Sequence, residues 1–159
     1  TVCGKLAAYV ALEAVLVPLY IIVLPWVYGV PRLGGVLPLL LFSVPFVLAT
    51  GALGLVIAAS FRTPLTVQLV MAAIGLPFFF MSGFSWPFEA MPQAVRWLAQ
   101  LVPSTAAIDG FVRIRQLGAS LQDVAQPALT LLVLAGVYGC LAVVLEAASR
   151  RRLARPLRA

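Results

Sequence analysis

The sequence predicts an all-α protein: a polytopic helical membrane bundle of four transmembrane helices, with a short external helical hairpin, re-entrant or interfacial, before the last span. Three observations carry this expectation. The 159 residues are 63% hydrophobic and only 10% charged, whereas a water-soluble domain holds about 25% charged residues. Four apolar runs, at about 6–28, 34–60, 65–84 and 125–148, each hold about 20 residues or more, enough at a 1.5 Å rise to reach across a hydrocarbon core roughly 30 Å thick. Between the third and fourth runs, the stretch at about 88–118 is too polar and interrupted to cross, yet too apolar for a water-exposed loop. Backbone polar groups in lipid must be satisfied within their own segment, so the runs are helices rather than strands.

The first run contains Pro18, Pro25 and Glu13, the one acid well inside a span. Intramembrane ionisable groups are costly and tend to be functional. Glu13 therefore either lines a pathway or helix interface, or is protonated or hydrogen-bonded within the bundle, or reaches toward the membrane interface. Tyr28 to Gly35, rich in Gly and Pro, is a turn. The second run carries Pro38 and Pro45, then Thr50, Gly54 and Ala58 at four-residue spacing, a row of small residues that admits another helix. A turn at Phe61-Arg62-Thr63-Pro64 leads to the third run, with Pro77 inside it. Prolines are tolerated in membrane bundles, where they bend the helix locally. Short connections make successive spans antiparallel.

Past Trp86-Pro87 and Glu89, the pattern gives two short helices of about 10–13 residues each. Pro92 suits the first turn of one helix and Pro103 ends it. Gln93, Arg96 and Gln100 form a polar stripe beside Trp97 and Leu98. Ser104 fits the N-cap of the second helix. There Asp109 and Arg113 have the i,i+4 spacing of an ion pair, and Gly118 is a natural terminator. Trp86 and Trp97 suit the interfacial belt. Glu89 sits near the first helix's N-terminus, where it caps that helix or lies on an exit path. Spacing alone does not separate a hairpin that dips into the membrane from one lying flat on it.

Ser120-Leu121-Gln122-Asp123 matches a capping box ahead of the last run, which carries the small residues Ala135 and Gly139. Glu146 stands four residues before Arg150 in the favourable order for a helical pair. A basic tail at 149–159 follows, the usual mark of a cytoplasmic flank near anionic lipid. With that tail inside, Lys5 and Arg62 join it, giving seven basic residues against four outside (Arg32, Arg96, Arg113 and Arg115). The net charge of +6 thus points to membrane lipid as a partner and not to nucleic acid.

Several chemistries are excluded by what the chain holds. There is no histidine, which removes a Ser-His arrangement and an HExxH zinc site. Cys3 and Cys140 are far apart, so neither a disulfide nor a metal site is expected. Ser82 and Ser85 have no visible base. No Walker A pattern is present.

On Pro77, Ser82-Gly83-Phe84-Ser85-Trp86-Pro87, Glu89-Ala90-Met91-Pro92, Trp97-Leu98-Ala99, Leu101-Val102-Pro103 and Ile108-Asp109-Gly110, the chain resembles the membrane subunit of ATP-binding-cassette exporters of the type-2 permease family. The likeness runs end to end and is specific around 82–110. It implies a single transmembrane permease domain over 1–159 that supplies the third to sixth of six spans. Two spans and a cytoplasmic coupling helix would lie upstream, since the chain opens on Thr1-Val2-Cys3 without a starting Met.

The resemblance also implies a subunit of the inner membrane that is not itself an enzyme. It would form a translocation pathway as a dimer with a second permease subunit. ATP would be hydrolysed on a separate cytoplasmic ATPase, so no cofactor is expected in this chain. Glu13, Trp86, Pro87, Glu89, Thr50 and Gly54 are the pathway or interface candidates, and Arg96, Trp97, Asp109 and Arg113 mark the hairpin. Two other readings stay open: a non-transporting scaffold or maturation factor on the same fold, and an ion-coupled secondary transporter, for which Glu13 is the only support.

Overall fold

The computed structural model describes residues 2–29, 33–61, 63–83 and 90–154, without side chains for Val2 and 149–154. Helix α1 (Val2–Pro18) passes through a π-helical turn (Leu19–Val23) into α2 (Leu24–Val27), followed by α3 (Val36–Ser60), α4 (Pro64–Met81), α5 (Gln93–Gln100), α6 (Pro103–Leu117) and α7 (Ala125–Ala154). Four segments are long and apolar enough to span a membrane: Cys3–Val27, Val36–Ser60, Pro64–Met81 and Ala125–Ala148. All four runs read from the sequence are therefore helices, within a few residues of the expected bounds.

The π turn has a cause in the sequence. Pro25 has no N–H to give to the carbonyl of Ile21, so the ladder widens just before it. The Leu24 N–H reaches back five residues to the Leu19 carbonyl. Pro45 and Pro77 instead sit within continuous helices. Thr63 caps α4 by accepting a hydrogen bond from the Thr66 N–H, with Pro64 in the first turn.

The spans alternate in direction. Tyr9 of α1 meets Thr50 of α3, while Ile21 and Leu39 line one cavity further along, so α1 and α3 run antiparallel. At the far end, Lys5 Nζ lies 4.0 Å from Glu146 Oε1 of α7. Helices α3 and α7 therefore both start at the hairpin end of the molecule and finish at the Lys5 end. The expected partner of Glu146, Arg150, has its side chain outside the described residues.

The buried core sits where α6 wedges between α3 and α7. Leu39, Phe42 and Ala49 of α3, Ala107 and Ile114 of α6, and Val124, Leu131 and Leu134 near and in α7 form one cluster. Phe111 of α6 stacks edge-on against Phe42 at 5.1 Å and Phe46 at 5.9 Å between ring centroids. Most remaining surface is apolar, including Leu12, Val15, Leu69, Leu76, Leu132 and Val144, as lipid-facing helices require.

Two glycines make this wedge possible. A Cβ on Gly110 would enter the Phe42 ring, and one on Gly34 would meet the Ile114 carbonyl. Close approach of this kind is what small residues allow between membrane helices. The seam expected at Thr50, Gly54 and Ala58 divides differently. A Cβ on Gly51 would lie 2.6 Å from Tyr9 and 2.9 Å from Leu6, whereas one on Gly54 meets nothing within 4 Å, and Ala58 is exposed. Within this one chain, helix α1 thus packs on Thr50 and Gly51.

Candidate functional site

The hairpin begins below the end of α4. Ser82 is buried at 4% exposure and donates its hydroxyl to the Phe79 carbonyl, so its role in the structure is to close the helix end. Trp86, Pro87 and Glu89 lie outside the described residues. Helix α5 has eight residues and α6 fifteen, against the 10–13 expected of each. Pro92 is the residue before α5 rather than in its first turn. Pro103 opens α6 instead of closing α5, and Val102 is the N-cap position in place of Ser104. The reason is proline's fixed φ and missing N–H, which fit a first helical position better than they fit a stop.

Arg96 folds back to donate from Nε and Nη2 to the Met91 carbonyl, both at 3.3 Å. Asp109 and Arg113 form the expected pair, Nε to Oδ1 at 2.9 Å, with both side chains about half exposed. Gly118 adopts the left-handed conformation (φ 67°) and ends α6, its N–H and that of Ala119 both reaching the Arg113 carbonyl. Ser120 and Asp123 satisfy half of a capping box: Asp123 Oδ2 accepts from the Ser120 N–H at 2.8 Å and from its hydroxyl at 2.7 Å. These two hydrogen bonds hold the Asp123 carboxyl below its ordinary pKa.

Three long-range contacts fix how the hairpin sits. The Leu33 N–H donates to the Arg115 carbonyl at 3.0 Å, tying the end of α6 to the start of α3. Thr105 donates to the Met81 carbonyl at 3.4 Å, near the other end of α6. The Tyr138 hydroxyl donates to the carbonyl of Leu101, in the turn between α5 and α6, at 2.5 Å. Tyr138 lies 13 residues after Ala125 in a 24-residue span, or about 20 Å along α7 at 1.5 Å per residue. The apex of the hairpin is thus about halfway along the last span. The same apex lies against the end of α4, where Thr105 meets the Met81 carbonyl.

Trp97 follows the apex inward. It stands one turn before Leu101, within about 6 Å of its level, and 65% of its surface is open.

Beside α6 lies a cavity of about 300 Å³, lined by Glu13, Val17, Tyr20, Ile21, Leu39, Phe46, Phe111 and Arg115. It brings together residues of α1, the π turn, α3 and α6. Glu13 stands close to the midpoint of the first span, since it is 10 residues into the 25 of Cys3–Val27. Among the candidates, Thr50 lies one turn further toward the Lys5 end, its Oγ1 bonded to the Phe46 carbonyl at 2.9 Å and meeting the Tyr9 hydroxyl at 3.2 Å. Gly54 faces open space and Asp109–Arg113 faces outward from α6. Arg115, counted above only as a basic residue of the outer side, turns out to share the cavity with Glu13. Nothing in local spacing brings residues 13 and 115 together.

Four spans and a helical hairpin that contacts the start of one span and the middle of another define a multi-pass membrane protein. The chain matches the family model for ABC-2 family transporter protein over residues 1–144 and belongs to that family. Two curated relatives, from Escherichia coli strain K12 and Escherichia coli O157:H7, carry the name "Probable multidrug ABC transporter permease YbhS". Each is 31% identical over 101 residues, covering 63% of this chain and 27% of the relative. No solved structure matches the chain at a significant level.

Proposed function

We propose that this chain is the membrane-spanning part of an ATP-driven exporter, forming the translocation pathway with a second permease subunit while ATP is hydrolysed on a separate cytoplasmic ATPase. The observation that carries this reading is the helical hairpin set against the last span in a chain of the ABC-2 transporter family. An element that enters and leaves by one face, held by α3 and α7, is suited to gate that face while the spans carry the pathway. The chain itself would hold no cofactor and do no chemistry. Its substrates would be small amphipathic compounds, a reading supported by the multidrug name of the relatives.

The reading also sets an orientation in the inner membrane. Lys5 and Glu146 share one end, and α7 runs on past Glu146 to Ala154. With that end cytoplasmic, the excess of basic residues lies inside, and the hairpin opens to the outside. The test is co-purification of the full-length protein with its candidate ATPase, followed by ATP hydrolysis in proteoliposomes. Hydrolysis stimulated by exported substrate supports the proposal. Uptake driven by a proton or sodium gradient without ATP would contradict it.

A further inference from the structure

The groove beside α6 has a composition the hairpin does not explain. Its walls are apolar: Val17, Ile21 and Leu39, with the aromatic rings of Tyr20, Phe46 and Phe111. One carboxylate, Glu13, stands at its deep end, and one guanidinium, Arg115, at the hairpin end beside the start of α3. Among the described residues no basic side chain lies within 4.0 Å of Glu13; the ion pairs found are Lys5–Glu146 and Asp109–Arg113. The Tyr9 hydroxyl, one turn away, hydrogen-bonds Glu13 but brings no positive charge, and a carboxylate close to mid-span without a cationic partner is expensive in an apolar setting. The wall next to it is the π turn, a widened stretch of helix of the kind that recurs where helices meet ligands.

We propose that this groove binds a lipid-soluble organic amine: its ammonium at Glu13, its apolar body against Tyr20, Phe46 and Phe111, and a hydrogen-bond-accepting group toward Arg115. Each part of the assignment has its own physical ground. A cation offsets the charge of Glu13, which the neutral Tyr9 hydroxyl bonded to it does not, and the three rings cover the apolar body. A carboxylate at the deep end disfavours an acyl tail or an anion there. Arg115 is a donor only, so it selects an ether, ester or carbonyl at the other end. A volume of about 300 Å³ is at the small end of sites that take drug-sized molecules. The assignment deepens the exporter reading by naming a substrate class, and rests on it only for the step from binding to transport.

The test is equilibrium binding of rhodamine 6G, a fluorescent amphiphilic cation bearing an ester, to the purified full-length protein in lipid nanodiscs. Saturable binding is expected, weakened at least tenfold by Glu13→Gln and by Phe46→Ala, largely restored in Glu13→Asp, and unchanged by Glu146→Gln, whose acid lies outside the groove. Arg115→Gln should weaken rhodamine 6G but leave decyltrimethylammonium, which has no acceptor, unaffected as a competitor. Equal binding to wild type and Glu13→Gln, each eluting as a single species, would overturn the proposal, as would absence of saturable binding to the wild type. Glu13-dependent binding without ATP-driven export would remove the exporter reading and keep the groove. Export of the dye that is indifferent to Glu13 would do the reverse.

Discussion

The Tyr138 hydroxyl donates to the Leu101 carbonyl, joining the middle of the last span to the apex of a hairpin that precedes it by 37 residues. That bond places the turn between α5 and α6 about halfway along α7, so α6 is an interior element whose core residues Ala107 and Ile114 are buried against the bundle.

Removing the donor should loosen the hairpin without unfolding the spans. Tyr138→Phe keeps the ring and leaves the Leu101 carbonyl without this partner. Hydrogen bonds between membrane helices contribute roughly 0.5–1.5 kcal/mol, so a small fall in melting temperature is expected. Amide exchange should rise in 99–105 and stay unchanged in α3. An unchanged exchange pattern would show that the bond does not hold the apex.

Gly110 and Phe42 should behave as a coupled pair. Gly110→Ala forces a methyl into the Phe42 ring, and overpacking of this kind costs roughly 1–3 kcal/mol. Phe42→Leu opens space at the cost of lost packing. The double variant should be more stable than the sum of the two single effects predicts, because the two residues are in contact. Strict additivity in thermal melts would contradict the wedge.

The depth of Trp97 is directly measurable. In a background where Trp26 and Trp86 are Phe, its fluorescence should be quenched most by lipids brominated near the middle of the acyl chain. Strongest quenching by probes at the headgroup would indicate a hairpin lying flat.

Acid should act on the turn before α7. The Asp123 carboxyl is held below its ordinary pKa by Ser120. A carboxylate whose folded pKa is depressed stabilises the fold at pH values above its unfolded pKa of about 3.9, and that contribution is lost as pH falls through the lower folded value. Asp123→Asn should therefore melt below wild type at pH 7, and the gap should close as the pH is taken toward 3. A gap that is the same at pH 7 and pH 3 would show that the charge is not what matters.

The spans were legible because length and hydropathy alone specify them, and the Asp109–Arg113 pair because helical spacing fixes a local contact. Faces were not legible. Helices that are apolar all round carry no stripe to say which side meets a neighbour, so the row at Thr50 and Gly54 did not single out Gly51 as the residue against Tyr9. The polar and apolar stripes of α5 and α6 fitted either a flat or a buried hairpin. The contact of Leu101 with Tyr138 sets the hairpin against the last span, and no local pattern encodes it. The π turn had a local signal, Pro25 four residues after Ile21, that could have been read. The meeting of Glu13 with Arg115 had none.

The most direct test of the hairpin returning to its own side is labelling of single cysteines by a membrane-impermeant thiol reagent, in full-length protein with Cys3 and Cys140 replaced by Ser. Tyr28→Cys and Gln122→Cys should label from one side of the membrane and Thr63→Cys from the other. If Gln122→Cys labels with Thr63→Cys instead, residues 82–124 cross the membrane and the re-entrant hairpin does not exist.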